Sequence, residues 1–70
     1  MKPELKKINV GPPPEYIYNG EGFSALYRGD EPQTLLNDTV DDRLTKASRK
    51  LGVTVKELSD RLEAGETISW

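Results

Sequence analysis

Residues 39–65 read TVDDRLTKASRKLGVTVKELSDRLEAG and decide the fold, because they encode two helices and the turn between them. From Leu36, just before this stretch, apolar residues recur with spacings of four, four, three and four, at Val40, Leu44, Ala47 and Leu51. Side chains at those spacings share one side of an α-helix and form a stripe that can be buried. The pattern therefore predicts an amphipathic helix that ends at Leu51.

Both ends of this first helix are marked in the sequence. Thr39 is a favourable N-cap residue, and Asp41 and Asp42 add negative charge to the first turn, where the helix dipole favours it. Gly52 follows the last apolar residue and suits the left-handed conformation that ends many helices. The predicted helix spans about residues 39–51.

The second helix begins with a recognisable capping pattern. Thr54 is expected at the N-cap and Glu57 three residues later, which is the spacing of a capping box. Val53 and Leu58 stand on either side of that cap at the spacing of a hydrophobic staple. Ala64-Gly65 then supplies a stop, so the helix is predicted over about residues 55–64.

Towards the N-terminus the sequence changes from helical to strand-like patterns. Residues 16–18 and 23–27 are rich in strand-forming side chains and flank Asn19-Gly20-Glu21-Gly22. This arrangement predicts a β-hairpin over residues 15–28 with a four-residue loop. Between the hairpin and the first helix, Asp30-Glu31-Pro32-Gln33 resembles a helix start and predicts one short helical turn.

The two ends of the chain carry weaker signals. Gly11-Pro12-Pro13-Pro14 forces an extended stretch, so residues 1–14 are predicted to be an extended, partly flexible N-terminal arm, with a short strand as an alternative over residues 6–10. After the second helix, polar and apolar residues alternate over residues 66–70. This alternation predicts a closing strand with Ile68 and Trp70 turned inward.

Together these elements predict an α+β fold, with an N-terminal hairpin packed on a C-terminal helix pair. Residues 15–70 are expected to form one small globular domain. A chain of 70 residues needs nearly all its large apolar side chains for one core. We therefore favour a core role for the aromatic residues of the hairpin over a role as a binding platform.

The composition excludes several kinds of chemistry. The chain has no cysteine and no histidine, which removes disulfides, thiolate nucleophiles, imidazole bases and the usual zinc ligands. The acidic group Asp38, Asp41 and Asp42 is better explained by helix capping than by a metal site. We expect a protein that is not an enzyme and that has no metal and no cofactor.

Charge and hydropathy restrict the partners. Ten basic and twelve acidic residues give a net charge of −2, so any contact with nucleic acid must be local. Residues 1–5 contain no apolar stretch that would serve as a signal peptide or a membrane span. We expect a cytoplasmic protein that does not bind membranes.

The stretch LTKASRKLGVTVKELSDRL, residues 44–62, resembles the helix-turn-helix of Cro and other phage or bacterial repressors. Ser48 stands where that pattern has a small residue, Gly52 at the turn glycine and Val53 just after it. Leu58 and Leu62 stand at apolar positions of the recognition helix. The resemblance covers residues 44–65 and implies a DNA-binding transcriptional regulator, with double-stranded DNA as its partner and a possible homodimer.

The resemblance also implies which residues contact DNA. The residues implied to face the major groove are Thr54, Val55, Lys56, Ser59 and Asp60. Those implied to reach phosphates are Arg43, Lys46, Arg49 and Lys50.

A second hypothesis fits the near-neutral charge. The domain would then be a non-enzymatic protein-interaction module, such as an adaptor or an inhibitor of a larger complex. Its contact surface would be the aromatic hairpin, with Tyr16, Tyr18 and Tyr27 as the contact residues.

Overall fold

The computed structural model describes residues 2–70, so residue 1 of the expected N-terminal arm lies outside the described part. The elements form the α+β domain that the sequence predicts. In chain order they are β1 (Glu4–Asn9), β2 (Glu15–Gly20), β3 (Phe23–Arg28), α1 (Val40–Leu51), α2 (Val55–Glu63) and β4 (Ile68–Ser69). No helix within residues 2–70 is both long and apolar enough to cross a membrane.

The four strands form one antiparallel sheet in the order β3-β2-β1-β4. β1 lies inside the sheet, since Leu5 pairs with Tyr18 on β2 and with Ile68 on β4. The prediction of an N-terminal arm over residues 1–14 is therefore wrong for Glu4–Asn9, and the short strand given as an alternative over residues 6–10 is confirmed over residues 6–9. Leu5 is fully buried, and this single apolar contact, together with pairing on both sides, holds a strand whose other residues are mostly polar.

The predicted hairpin is confirmed, but its loop is shorter than expected. Gly20 pairs with Phe23, which leaves only Glu21 and Gly22 in the turn. Both turn residues have positive φ, 54° and 86°. Such a turn has the same twist as the flanking strands, so two residues suffice to reverse the chain.

Both predicted helices are confirmed to within one residue at each end. The capping box, however, is predicted at α2 and is complete only at α1. The complete capping box lies at α1, where Thr39 Oγ1 accepts from the Asp42 amide and Asp42 Oδ2 accepts from the Thr39 amide. At α2 only half of the predicted box forms: Thr54 Oγ1 accepts from the Glu57 amide at 3.1 Å. The Glu57 carboxylate instead pairs with Arg61 one turn later.

The helical turn predicted at residues 30–33 is wrong. The Glu31 amide bonds back to the Arg28 carbonyl, and the Gln33 amide donates to the Asp38 carbonyl at 2.6 Å. Gln33 and Asp38 thus form an isolated antiparallel bridge around a turn. The bridge holds Gln33 in an extended conformation, which a residue in the first turn of a helix cannot have.

One face of the sheet carries the core, and both helices cover it. The side chains that the core buries are Leu5, Tyr16, Tyr18, Ala25, Tyr27, Val40, Leu44, Ala47, Leu58, Leu62 and Ile68. Val53 and Trp70 pack against this cluster, and the Ile68–Ser69 strand confirms the predicted closing strand with Ile68 turned inward. The hairpin tyrosines are therefore core residues, as favoured from the sequence.

A charged group lies inside this core. Arg43 on α1 is only 6% exposed, and its guanidinium carbon lies 4.0 Å from the centre of the Tyr18 ring. Its Nε donates to the Tyr27 hydroxyl at 2.8 Å and lies 3.0 Å from Asp38 Oδ2. The Tyr27 hydroxyl in turn donates to Asp38 Oδ1 at 2.8 Å. We call Tyr18, Tyr27, Asp38 and Arg43 the buried arginine cluster.

Replacing Arg43 should destabilise the domain more than replacing an exposed arginine would. Arg43→Met leaves the Asp38 carboxylate largely buried without its cation, which we expect to lower the free energy of unfolding by about 3 kcal/mol. Equilibrium unfolding in urea measures the change. The matched control, Arg49→Met on the exposed side of α1, should change stability by less than about 0.5 kcal/mol.

A double variant separates the stability lost through an unpaired buried charge from the stability lost through poorer packing. Asp38→Asn together with Arg43→Met removes both charges, so its loss should be smaller than the sum of the two single losses. Equal losses for Arg43→Met and Arg49→Met would contradict the cluster.

Candidate nucleic-acid interface

A three-residue turn fixes the two helices relative to each other. Gly52 adopts a φ of 72°, and its amide donates to the Ser48 carbonyl at 2.9 Å. The Val53 amide donates to the same carbonyl at 3.2 Å, and the Val53 side chain packs against the core. The chain thus leaves α1 and enters α2 through a turn held by both backbone bonds and packing.

Three cations share the exposed side of α1 immediately before this turn. Arg49 and Lys50 follow Lys46 by three and four residues, so the three side chains project from one side of the helix. All three are exposed, and none has an ion-pair partner within residues 2–70. We call these residues the cationic ridge.

Arg43, the fourth predicted phosphate contact, is not part of the ridge. Its side chain turns towards the sheet and is buried in the arginine cluster. The prediction that Arg43 reaches phosphates is therefore wrong. It is excluded because Leu44 and Ala47 on the same side of α1 face the core, which carries Arg43 inward with them.

The exposed side of α2 is nearly neutral. Lys56 Nζ lies 3.1 Å from Asp60 Oδ2, and Arg61 pairs with Glu57 at 3.6 Å. Both pairs join residues four apart on the same helix, a spacing that can be read directly from the sequence. The cations of α2 are thus already partnered by its own carboxylates.

The residues implied to face the major groove divide into two groups. Thr54, Lys56 and Asp60 are exposed on α2. Val55 and Ser59 are half-buried, and Val55 packs against the core, so they are less available to a groove. The cationic ridge and the exposed start of α2 thus lie on either side of the turn along the chain.

The tyrosines expected as protein contacts lie on the covered face of the sheet. Tyr16, Tyr18 and Tyr27 are all buried, so the prediction of a tyrosine contact surface is wrong. Alternation along the strands turns their neighbours Ile17 and Leu26 to the opposite face, where Leu26 is 48% exposed and Ile17 is half-buried.

Tyr16 bridges the sheet to the end of α2. Its hydroxyl donates to Glu63 Oε1 at 3.2 Å, and the other oxygen of that carboxylate accepts from Lys7. Burial, followed by the negative charge of Glu63, raises the pKa of Tyr16 to about 12. The hydrogen bond from Lys7 is the largest cause of the lowered pKa of Glu63.

The other two tyrosines also resist ionisation. Burial is the main cause that raises the pKa of Tyr27 to about 12, against the opposing effect of the bond from Arg43. Burial likewise raises the pKa of Tyr18, whose hydroxyl has no hydrogen-bond partner in the described part of the chain. Within residues 2–70, no three acidic side chains are arranged to hold a metal ion.

No family model, curated protein or solved structure matches this chain. The resemblance to repressors over residues 44–65 accordingly stays a prediction. That prediction refers to the cationic ridge and the exposed first turn of α2.

The tyrosines should titrate as buried groups. Their pKa values in the fold lie above the ordinary value of 10.0, so the protonated phenols stabilise the fold fully below pH 10. That contribution is lost as the pH rises from 10 towards about 12. We expect phenolate absorbance to rise late, together with loss of the circular dichroism signal, whereas the same chain in concentrated urea titrates near pH 10. A phenolate step near pH 10 in the folded protein would contradict this.

Proposed function

We propose that this domain binds duplex DNA through the cationic ridge and the first turn of α2, as a small non-enzymatic regulator of transcription. The observation that carries the proposal is the ridge itself: Lys46, Arg49 and Lys50 are exposed, adjacent and without carboxylate partners within residues 2–70. Flexible cations without partners are the groups that bind phosphates at little desolvation cost.

The position of the ridge supports DNA rather than an isolated phosphate. The three cations extend over one helical turn, so they match successive phosphates along a strand. Across the turn, Thr54 and Lys56 lie at the exposed N-terminus of α2, the helix end that favours negative charge. Phosphate contacts by α1 would then hold the start of α2 against a groove.

Base recognition would require the ion pair on α2 to open. Lys56 can then donate to guanine, and Asp60 can accept from the amino group of cytosine. Since the Lys56–Asp60 pair is exposed, opening it costs little, about 0.5 kcal/mol. Sequence preference should therefore come from these two residues, while affinity comes mainly from the ridge.

The small size of the reading surface supports a dimer on DNA. One nine-residue helix contacts few base pairs, and dimeric helix-turn-helix regulators place two copies on half-sites one helical turn apart. The resemblance to phage and bacterial repressors also leads us to propose a cytoplasmic location. Protein binding through the hairpin tyrosines is not proposed, because those side chains are buried.

The test compares two variants with equal changes in net charge. Lys46→Glu/Lys50→Glu reverses the ridge, and Lys2→Glu/Lys6→Glu reverses two exposed cations elsewhere. Binding to a random duplex of about 20 base pairs, long enough for two half-sites, is followed by fluorescence anisotropy between about 50 and about 200 mM salt. The ridge variant should bind at least about tenfold more weakly, with a log–log salt slope smaller by about 2.

The control variant should keep most of the affinity of the parent and nearly all of its salt slope. If the two variants lose affinity equally, the ridge contributes to DNA binding only through the net charge of the protein, and the proposed interface is wrong. If the parent binds no duplex even at the lowest salt, DNA binding is wrong for this domain.

A further inference from the structure

Residues 33–38 form a compact loop immediately before α1. The Gln33 amide donates to the Asp38 carbonyl at 2.6 Å, and the Asn37 amide donates to the Gln33 carbonyl at 2.7 Å. The Leu36 amide donates to Gln33 Oε1 at 2.6 Å, and the Leu36 side chain packs against the core. Asp38 belongs to the buried arginine cluster. Bonds within the loop and these two anchors therefore hold its backbone in one position.

Leu35 lies in the turn of this loop and faces solvent. Its side chain is 88% exposed, the largest exposed fraction of any large apolar residue within residues 2–70. Turns are usually occupied by Gly, Pro, Asn, Asp or Ser, and a chain of 70 residues needs nearly all its large apolar side chains for its core. A leucine on a fixed backbone loses little conformational freedom when it docks, so it suits an interface.

An open groove of about 190 Å³ lies between β3 and residues 31–34. Thr34 belongs to its lining and immediately precedes Leu35, so the leucine and the groove are neighbours. The apolar side chains of the groove are accessible, since Leu26 is 48% exposed and Pro32 is also exposed. Small-molecule sites begin at about 300 Å³, so this groove suits a single aliphatic side chain. We call its lining residues, Leu26, Arg28 and residues 31–34, the β3 groove.

An exposed leucine beside a groove of this size is the arrangement that a two-fold dimer needs. In such a dimer each copy uses the same surface, so the leucine of one copy enters the groove of the other. The groove carries one cation and one anion, Arg28 and Glu31. The Arg28 side chain is 60% exposed, and Glu31 has no ion-pair partner within residues 2–70. Two copies can therefore place opposite charges together around the leucines.

We propose that two copies of this domain associate through Leu35 and the β3 groove. Leu35 of each copy lies on Leu26 and Pro32 of the other copy. The groove is small, so the contact belongs to the class of weak interfaces below about 1,200 Å², with a Kd on the order of 100 µM.

The role of this contact rests on the proposed function, because it is the contact between the two copies that we propose on DNA. Two copies on neighbouring half-sites have an effective concentration on the order of 1 mM, which exceeds that Kd. A weak contact is therefore sufficient to join them. The contact itself does not require DNA, so it can be tested on the free protein.

The test measures the mass of the free domain by sedimentation equilibrium between about 10 µM and about 1 mM, on either side of the expected Kd. The parent should pass from monomer to dimer. Leu35→Ser should weaken dimerisation at least about tenfold, because each dimer loses two buried leucine side chains. The matched control is Val10→Ser, which removes another aliphatic side chain that is 82% exposed and lies outside the groove.

The control variant should dimerise like the parent, and circular dichroism should show that both variants keep the fold. A parent that remains a monomer at about 1 mM overturns the proposal, since the expected Kd is roughly tenfold lower. Equal weakening by Leu35→Ser and Val10→Ser also overturns it, because the contact would then not depend on the groove.

A mixture of two variants tests whether Leu35 enters the groove of the other copy. Leu35→Ser keeps the groove intact, whereas Leu26→Glu keeps Leu35 and places a charge in the groove. Each variant alone loses both contacts of the dimer. A mixed pair retains one, formed by Leu35 of the Leu26→Glu copy and the groove of the Leu35→Ser copy.

The mixed pair is followed by NMR on ¹⁵N-labelled Leu35→Ser protein titrated with unlabelled Leu26→Glu protein. Amides of the labelled groove, such as those of Gln33 and Thr34, should shift at least about threefold earlier in the titration than with unlabelled Leu35→Ser protein. If the two titrations are the same, the leucine and the groove do not meet and the proposal is overturned.

Failure of this contact and failure of DNA binding give different results. A domain that binds duplex DNA through the cationic ridge but never dimerises overturns the contact alone. A domain that dimerises through Leu35 but binds no duplex supports the contact and overturns the DNA-binding function.

Discussion

The guanidinium of Arg43 is the group on which the arrangement of the domain depends. A buried cation is tolerated only when charge and hydrogen bonds compensate its lost hydration. Here Tyr18, Tyr27 and Asp38 supply that compensation, and they come from β2, β3 and the segment before α1. The sheet, that segment and the first helix must therefore dock together for the Arg43 guanidinium to keep all three of these contacts.

The same constraint determines which side of α1 reaches solvent. With Arg43, Leu44 and Ala47 directed at the sheet, the helix must expose the side that carries Lys46 and Lys50. The first helix thus uses one of its cations for structure, and its other cations have no ion-pair partner among residues 2–70. In a chain with a net charge of −2, this separation by helix side creates a local positive surface.

Local patterns made the helices predictable, and non-local pairing explains what was missed. The caps at Thr39 and Thr54 and the turn at Gly52 depend on residues within one helical turn, so their positions follow from the sequence. The central position of β1 depends on pairing with β2, up to 15 positions away, and with β4, more than 60 positions away. A lysine-rich strand gives little local signal of such pairing. The sequence likewise suggested the exposed ridge, whereas the burial of Arg43 required knowledge of partners five and sixteen residues away.

The pairing of β1 with β4 has a mechanical consequence. Glu4 lies opposite Ser69, and the Trp70 amide donates to the Pro3 carbonyl. The start of β1 and the end of β4 therefore lie next to each other at one end of the sheet. A force that separates residues 3 and 70 acts across the strands and loads their hydrogen bonds one pair at a time. β4 has only two residues, so it should peel away under a small load and uncover the edge of β1 while the hairpin remains paired.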